Sequence, residues 1–199
     1  PDRPYFLSVC RFAEEKNLPG LIQAFGAYRR AVGEDRAWDL VLCGGGPGAS
    51  AVDRAVTQSG AAAAIHRPGF LQAEQLAPWY AYASAFVLAS LSEPWGLVVN
   101  EAAASGLPLL VSDRAGAAET LVPEPEGTTG KRFDPSRVES ITEALIWMTS
   151  LPASDREAMG HRAADVVAEW GPERFGEGLL DALDRAFALK ATTKLRRAS

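Results

Sequence analysis

Residues 85–112, AFVLASLSEPWGLVVNEAAASGLPLLVS, carry the clearest structural pattern in the chain. An apolar run at 85–90 is followed by a helical pattern at 96–105 and a second apolar run at 107–112. Neither run alternates with polar residues, which is typical of strands that are covered on both faces. Two such strands joined through a helix form a βαβ unit with parallel strands.

The same alternation of apolar runs and helical patterns extends over residues 5–134. Leu18, Leu21, Ile22 and Phe25 repeat at helical spacing after Asn17, a good N-cap residue. The pattern predicts an α/β fold, a single Rossmann-like doubly wound parallel sheet of about six strands. The predicted strands cover 5–9, 39–43, 64–67, 85–90, 107–112 and 131–133, and further helices are predicted over 49–59, 96–105 and 116–122.

Beyond residue 134 the strand patterns stop and three helical patterns follow, over 136–150, 154–170 and 172–190. Ser154 and Glu157 have the spacing of a capping box at the start of the second of these helices. The tail, residues 191–199, is small, polar and basic, and is predicted to be disordered. With no internal repeat or linker, we expect one folded domain over 1–190.

The composition is that of an ordinary globular protein. Of the 199 residues, 47% are apolar and 23% are charged, which excludes a disordered chain, collagen and a coiled coil. The formal net charge of -5 argues against binding to nucleic acid or to an anionic lipid surface, where many phosphates must be neutralised. A single small anionic ligand remains compatible with this charge.

The cysteines and histidines set further limits. Cys10 and Cys43 are too few for a disulfide framework, and His66 and His161 provide no zinc-ligand spacing, so no metal site is predicted. A reducing compartment, and hence the cytoplasm, is the simpler interpretation.

Two further features bear on targeting. The longest uncharged stretch, 75–92, contains Pro78 and polar residues, and it predicts a broken helix followed by a strand rather than a transmembrane segment. No leader pattern begins the chain. A start at Pro1 fits either a domain cut from a longer protein or a short protein that has lost its initiator Met.

Ligands of an open parallel sheet bind at the carboxyl ends of its strands, so the residues that follow each strand are the first candidates. Arg11 and Lys16 follow the first strand and precede a helix. Two cations beside a helix N-terminus are suited to a diphosphate, because backbone donors and the helix dipole add to their charges. A solvated surface pair is the alternative that the two residues alone leave open.

The run Gly44-Gly45-Gly46-Pro47-Gly48 follows the second strand. It partly matches a dinucleotide fingerprint, but Pro47 and the lack of an acidic residue at the end of the next strand argue against NAD. A tight turn between strand and helix is therefore the favoured interpretation. An NAD-dependent oxidoreductase is kept only as a third alternative.

Glu93 and Glu101 lie eight residues apart, on either side of a turn that contains Gly96. Gly96 allows the backbone to approach a ligand closely, and Glu101 falls about one and a half turns inside the following helix. Each glutamate alone is most often a surface residue. Together they could accept hydrogen bonds from hydroxyl pairs on either side of a phosphate held at the helix N-terminus.

The run 93–102, EPWGLVVNEA, with 104–108, ASGLP, resembles the double-glutamate motif of the retaining glycosyltransferases of family four. Members of that family have the GT-B architecture of two Rossmann domains. The resemblance extends over 8–11 (SVCR), 15–17 (EKN), 44–47 (GGGP) and 68–71 (PGFL). It departs from the family at Cys10, where the family usually has glycine, and at 114–117 (RAGA), a poor copy of a paired-glycine turn.

The resemblance implies roles for individual residues. Arg11 and Lys16 would bind the donor diphosphate, and Glu93 would hold hydroxyls of the donor sugar. Glu101 would bind the ribose diol. Backbone amides after Gly96 would meet phosphate, and the base would lie on residues that follow the third strand. The implied catalytic residues are Glu93, Arg11 and Lys16, and the implied substrate-binding set adds Phe70, Leu71, Gly96, Leu97, Val98 and Glu101.

The resemblance covers only the C-terminal, donor-binding half of such enzymes. It implies a hexosyltransferase-type enzyme that takes its sugar from a nucleotide-diphosphate sugar and that is inactive without an N-terminal Rossmann domain carrying the acceptor site. No organic cofactor is implied, and no Asp-x-Asp pair favours metal-assisted departure of the nucleotide. The open alternatives are half of a sugar-nucleotide epimerase and a non-catalytic nucleotide-binding module. The base, the sugar and the acceptor are not predicted.

Overall fold

The computed structural model describes residues 1–171, 174, 176, 179–183 and 185. The helix predicted over 172–190 falls largely outside the described residues, and the tail predicted over 191–199 falls wholly outside them.

Six parallel strands form one sheet in the order β3-β2-β1-β4-β5-β6. The order reverses between β1 and β4, which pair through Phe6 with Ala85 and Leu7 with Phe86. The predicted doubly wound parallel sheet is therefore confirmed. The strands are β1 Tyr5–Val9, β2 Asp39–Cys43, β3 Ile65–Gly69, β4 Ala85–Leu88, β5 Leu109–Ser112 and β6 Gly130–Phe133.

Helices cover both faces of the sheet and enclose two apolar layers. Alternate side chains of β1 enter opposite layers: Phe6 packs beneath one set of helices, and Tyr5 and Leu7 pack beneath the other. The first layer lies under α1 Leu18–Val32, α2 Ala49–Gln58 and α6 Val138–Ser150, and the second under α3 Ala73–Tyr82, α4 Leu97–Ala104, α5 Ala118–Leu121 and α7 Ala153–Ala168. Within the described residues, no helix has the length and apolar character needed to cross a membrane.

One of the two capping predictions was wrong. Asn17 occupies the N-cap position of α1, as predicted, but with φ 52° it is left-handed, and its side-chain amide donates to the Pro135 carbonyl at 2.8 Å, so the side chain forms no capping bond. The capping box at Ser154 does not form, because α7 begins at Ala153 with Pro152 as its N-cap. A capping box exists instead at the start of α3, where Gln72 and Gln75 bond reciprocally. Near Pro78, the uncharged stretch is a continuous helix, not a broken one.

The loop that follows β4 is fixed by the loop that follows β5. Glu93 forms a parallel β-bridge with Ala115, and its carbonyl accepts the Gly116 amide at 3.0 Å. A Cβ at Gly116 would lie 2.1 Å from the Pro94 carbonyl oxygen, so only glycine permits this approach. A single glycine in the 114–117 turn is thus enough to hold the backbone that carries Glu93.

We expect Gly116→Ala to destabilise the fold by about 1–3 kcal/mol, the usual range for overpacking a site that cannot yield. Gly45→Ala is the matched control, because a Cβ there meets nothing within 4 Å. Urea unfolding followed by circular dichroism measures both. Equal stability of the two variants would contradict the close approach at Gly116.

Candidate functional site

The candidate site is a cleft at the carboxyl ends of the central strands. Two pockets meet there, one of about 550 Å³ and one of about 520 Å³. Both are lined by Val9, Cys10 and Arg11 at the end of β1, and by Val98 in the first turn of α4. Because the sheet order reverses between β1 and β4, the loops that follow these strands part, and such a point is where open α/β sheets bind ligands.

The larger of the two, here called the apolar pocket, is bounded by Gly44, Gly45, Gly46, Phe70, Leu71, Leu76 and Glu101. The side chain of Phe70 is 74% exposed, so it has a free aromatic face at the rim. Leu71 is half-buried against the core behind it. A flat aromatic or heterocyclic group fits the chemistry of these walls.

Gly44, Gly45 and Gly46 form one wall of the apolar pocket, and the predicted tight turn over 44–48 is confirmed between β2 and α2. Gly44 has φ +136°, and a Cβ there would lie 1.9 Å from the Cys10 carbonyl oxygen. The Phe12 amide donates to the Gly45 carbonyl at 2.8 Å. Burial raises the pKa of the neighbouring Cys10 thiol to about 12, so that thiol stays protonated and is not a nucleophile at neutral pH.

The second pocket, here called the polar pocket, is lined by Arg11, Glu15, Lys16, Glu93, Pro94, Trp95, Gly96 and Leu97. Lys16 Nζ and Glu93 Oε2 form an ion pair in it. Their side chains are only 17% and 12% exposed, so water screens this pair less than an exposed one. The Leu91 amide donates to the Glu15 carbonyl at 2.8 Å and joins the two loops that carry the pair.

Arg11 lies at the mouth of the polar pocket in a different environment. Its guanidinium is 3.2 Å from Glu15 Oε1, and the two side chains are 68% and 42% exposed. A backbone hydrogen bond and the bond from Arg11 lower the pKa of Glu15. An exposed pair of this kind is weak, so Arg11 is free to turn toward an anion.

Helix α4 begins at the rim of the polar pocket. Gly96 precedes it with φ 99°, a left-handed conformation that favours glycine. Leu97 and Val98 belong to the first turn, where the backbone amides have no intrahelical acceptor and the dipole favours a negative charge. Leu97 is 71% exposed, so this turn is open to solvent.

Glu101 projects from the second turn of α4 to the wall of the apolar pocket. Its Oε2 accepts a hydrogen bond of 2.8 Å from the hydroxyl of Tyr80 on α3. Burial and the adjacent carboxylate raise the pKa of Tyr80, which keeps the hydroxyl a neutral donor. Sequence reasoning missed Tyr80, because nothing in the pattern of α3 predicts which side chain its hydroxyl meets.

Every predicted site residue therefore lines one of the two adjoining pockets: Arg11, Lys16, Glu93, Gly96, Leu97 and Val98 the polar one, and Phe70, Leu71 and Glu101 the apolar one. Arg11 and Val98 lie at the junction of both. Within the described part of the chain, no group of three His, Cys, Asp or Glu side chains could hold a metal ion.

Known proteins are similar to this chain in sequence and in fold. The sulfoquinovosyl transferase SQD2 of Arabidopsis thaliana is 34% identical over 171 residues, which are 85% of this chain and 31% of that protein. A GDP-mannose-dependent α-(1-6)-phosphatidylinositol monomannoside mannosyltransferase of Mycolicibacterium smegmatis is 32% identical over 151 residues, which are 72% of this chain and 38% of that protein. The chain thus spans less than half the length of either relative.

Two solved structures superpose on the fold of this chain. A sucrose-phosphate synthase of Thermosynechococcus elongatus superposes with a TM-score of 0.77 at 25% identity, over 94% of this chain and 46% of that one. A pneumococcal O-GlcNAc transferase, GtfA, in complex with UDP and GlcNAc, superposes with a TM-score of 0.74 at 19% identity, over 92% of this chain and 36% of that one. The second likeness shows the fold alone.

Residues 1–166 match the family of glycosyl transferases group 1, so the match includes β1 to β6 and all nine residues assigned to the cleft. The resemblance first seen around Glu93 and Glu101 is thereby confirmed. The chain belongs to the group 1 glycosyl transferases, as a part of the GT-B architecture.

Proposed function

We propose that this chain is the donor-binding half of a retaining glycosyltransferase that takes its sugar from a nucleotide-diphosphate sugar. The observation that carries the proposal is the pair of adjoining pockets at the reversal of the sheet, one apolar and one holding Lys16 and Glu93. A nucleotide sugar matches this sequence of pockets, because its apolar base and ribose are joined through two phosphates to a polar sugar. The family relationship supports the same function.

The nucleoside would occupy the apolar pocket. The base would lie on Phe70 and Leu71, and the ribose diol would bond to the Glu101 carboxylate. Support comes from the exposed face of Phe70 and from the position of Glu101 on the same wall. Apart from Arg11 and Glu101, the described residues that line this pocket are uncharged, which suits an uncharged base without selecting one.

The diphosphate would lie at the junction of the pockets, between Arg11, Lys16 and the first turn of α4. Both side chains line the polar pocket, and Val98 is shared by the two pockets. When the glycosidic bond breaks, negative charge develops on the departing nucleoside diphosphate. Once donor binding has turned the two cations to the diphosphate, they and the helix N-terminus would stabilise that charge without further reorganisation during the reaction.

Glu93 would accept hydrogen bonds from hydroxyls of the transferred sugar and orient it. In the structure its carboxylate is paired with Lys16. Donor binding would therefore exchange one partner for another: Lys16 turns to the diphosphate, and Glu93 is released to the sugar. The two roles are coupled, because Lys16 and Glu93 are each other's partner in the structure.

The acceptor site and the rest of the cleft would come from an N-terminal Rossmann domain. The partial coverage of the two relatives, 31% and 38% of their lengths, supports a missing half. One nucleotide-sugar-binding domain over 1–190 and a cytoplasmic location remain predictions. Two thiols that form no disulfide are compatible with that location.

The first prediction from the proposed function concerns the chain by itself. UDP or GDP should bind at least about tenfold more tightly than UMP or GMP, because the second phosphate adds a charge-assisted hydrogen bond. The chain alone should transfer no sugar from UDP- or GDP-sugars. Calorimetry and donor-consumption assays measure the two properties. Equal affinity for mono- and diphosphates would contradict the diphosphate site, and transfer by this chain would contradict the half-enzyme assignment.

The second prediction concerns the cations. Lys16→Ala and Arg11→Ala should each weaken binding of the diphosphate by about 1.5–3 kcal/mol, the range for hydrogen bonds to charged groups. Added salt should weaken binding as well. Lys131→Ala is the matched control, since Lys131 is half-buried and is 3.0 Å from a glutamate, Glu126, away from the cleft. Unchanged titrations for both cleft variants at low salt would show them to be surface charges.

The third prediction separates the two glutamates. Glu101→Ala should weaken nucleotide and nucleotide sugar alike, by about 1–3 kcal/mol, because the ribose hydroxyls lose their acceptor. Glu93→Ala should weaken only the sugar-bearing donor, and it should leave binding of the bare diphosphate unchanged or stronger, because Lys16 is no longer held. Calorimetric titrations with UDP, GDP and their sugar conjugates decide this. If Glu93→Ala instead weakens binding of the bare diphosphate and Glu101→Ala does not, the donor lies along α4 in the opposite direction to the one proposed.

A further inference from the structure

We propose that Tyr80 is a positioning residue for ribose recognition: its hydroxyl holds the Glu101 carboxylate in the orientation that receives the two ribose hydroxyls. This inference rests on the proposed function and deepens it. It assigns a role to a buried side chain that lines neither pocket.

The contact joins two helices that pack on the same face of the sheet. Tyr80 lies near the end of α3 and Glu101 in the second turn of α4, and the hydroxyl is 2.8 Å from Oε2. Tyr80 is 5% exposed, whereas Glu101 is exposed and lines the apolar pocket. The bond therefore runs from the interior of the protein to the wall of the site.

The donor end of this bond is held rigidly. The Tyr80 ring lies 6.2 Å from the ring of Phe86 on β4 and belongs to the apolar layer beneath α3. The preceding residue, Trp79, accepts a 2.8 Å hydrogen bond from the Tyr5 hydroxyl on β1. Helix α3 is thus anchored to two central strands, and the Tyr80 hydroxyl has a fixed position.

The acceptor end gains most from that rigidity. A glutamate side chain has three rotatable bonds, and its terminal torsion is broad, so an exposed carboxylate samples many orientations. With one lone pair of Oε2 taken by Tyr80, Oε1 and the second lone pair of Oε2 remain for a diol. Binding then loses less side-chain entropy than it would with a free carboxylate.

The other buried tyrosines show that a carboxylate partner is not needed merely to satisfy a buried hydroxyl. The Tyr5 hydroxyl donates to the backbone carbonyl of Trp79, and the Tyr28 hydroxyl accepts from the backbone amide of Trp38. Tyr80 instead bonds to a side chain that lines a pocket. Of these three hydroxyls, only that of Tyr80 is bonded to a residue of the candidate site.

The test compares ribonucleotides with nucleotides that lack the diol. Tyr80→Phe keeps the ring and the core contacts but removes the hydroxyl. It should weaken binding of UDP or GDP by about threefold to tenfold, a part of what a hydrogen bond to a charged group contributes. Binding of the corresponding 2′,3′-dideoxynucleoside diphosphates should not change. Tyr80→Met, a second variant without the hydroxyl, should show the same selective loss.

Tyr28→Phe is the matched control, because it removes the hydrogen bond of another buried tyrosine hydroxyl, on α1, without touching α3 or Glu101. It should lower the melting temperature and leave the preference for ribonucleotides intact. In a Glu101→Ala background, Tyr80→Phe should have no further effect on binding. An additive loss in that double variant, or an equal loss for ribo- and dideoxynucleotides, would show that Tyr80 acts only through the fold.

The outcomes also separate this inference from the proposed function. If Glu101→Ala abolishes the preference for the diol while both Tyr80 variants keep it, the positioning role alone is wrong. If Glu101→Ala keeps the preference, the ribose site itself is wrong, and the role of Tyr80 with it. If the parent chain binds neither UDP nor GDP, the proposed function is wrong.

Discussion

The chain runs outward from β1 through β2 to β3, and re-enters the sheet on the other side of β1 as β4. Parallel strands joined by right-handed crossovers leave no other way to place helices on both faces. The loops after β1 and β4 therefore turn in opposite directions and open a cleft between them. Both pockets, and all the residues assigned to the donor, depend on this one reversal.

The reversal brings together charges that lie far apart in sequence. Lys16 comes from the loop after β1 and Glu93 from the loop after β4, 77 residues later, and they meet with little access to solvent. An isolated charge in that position would be costly, so each of the two charges compensates the other. A donor that offers a phosphate to one and hydroxyls to the other can replace both contacts at once, whereas a ligand with only one of these groups leaves the other charge without a partner.

Residues outside the pockets hold this arrangement in place. Gly116 allows the loop after β5 to lie against Pro94, and so fixes the backbone that carries Glu93. Tyr80 reaches Glu101 from α3, the helix that follows Phe70 and Leu71. The residues expected to contact the base and the ribose are thus all positioned by α3. The shape of the apolar pocket therefore depends on how α3 packs on β1 and β4.

The strands, the parallel α/β class and the candidate residues could be predicted from the amino-acid sequence alone, because burial on both faces leaves unbroken apolar runs and because the motif around Glu93 and Glu101 resembles that of a known family. Local sequence patterns predicted the helix ends less well: α7 has Pro152, not Ser154, as its N-cap. Three contacts could be seen only in the folded protein: the Lys16–Glu93 pair, the Tyr80–Glu101 bond and the approach of Gly116 to Pro94. Such contacts join elements from different parts of the chain, and their geometry is set by strand order and helix packing, which no local pattern encodes.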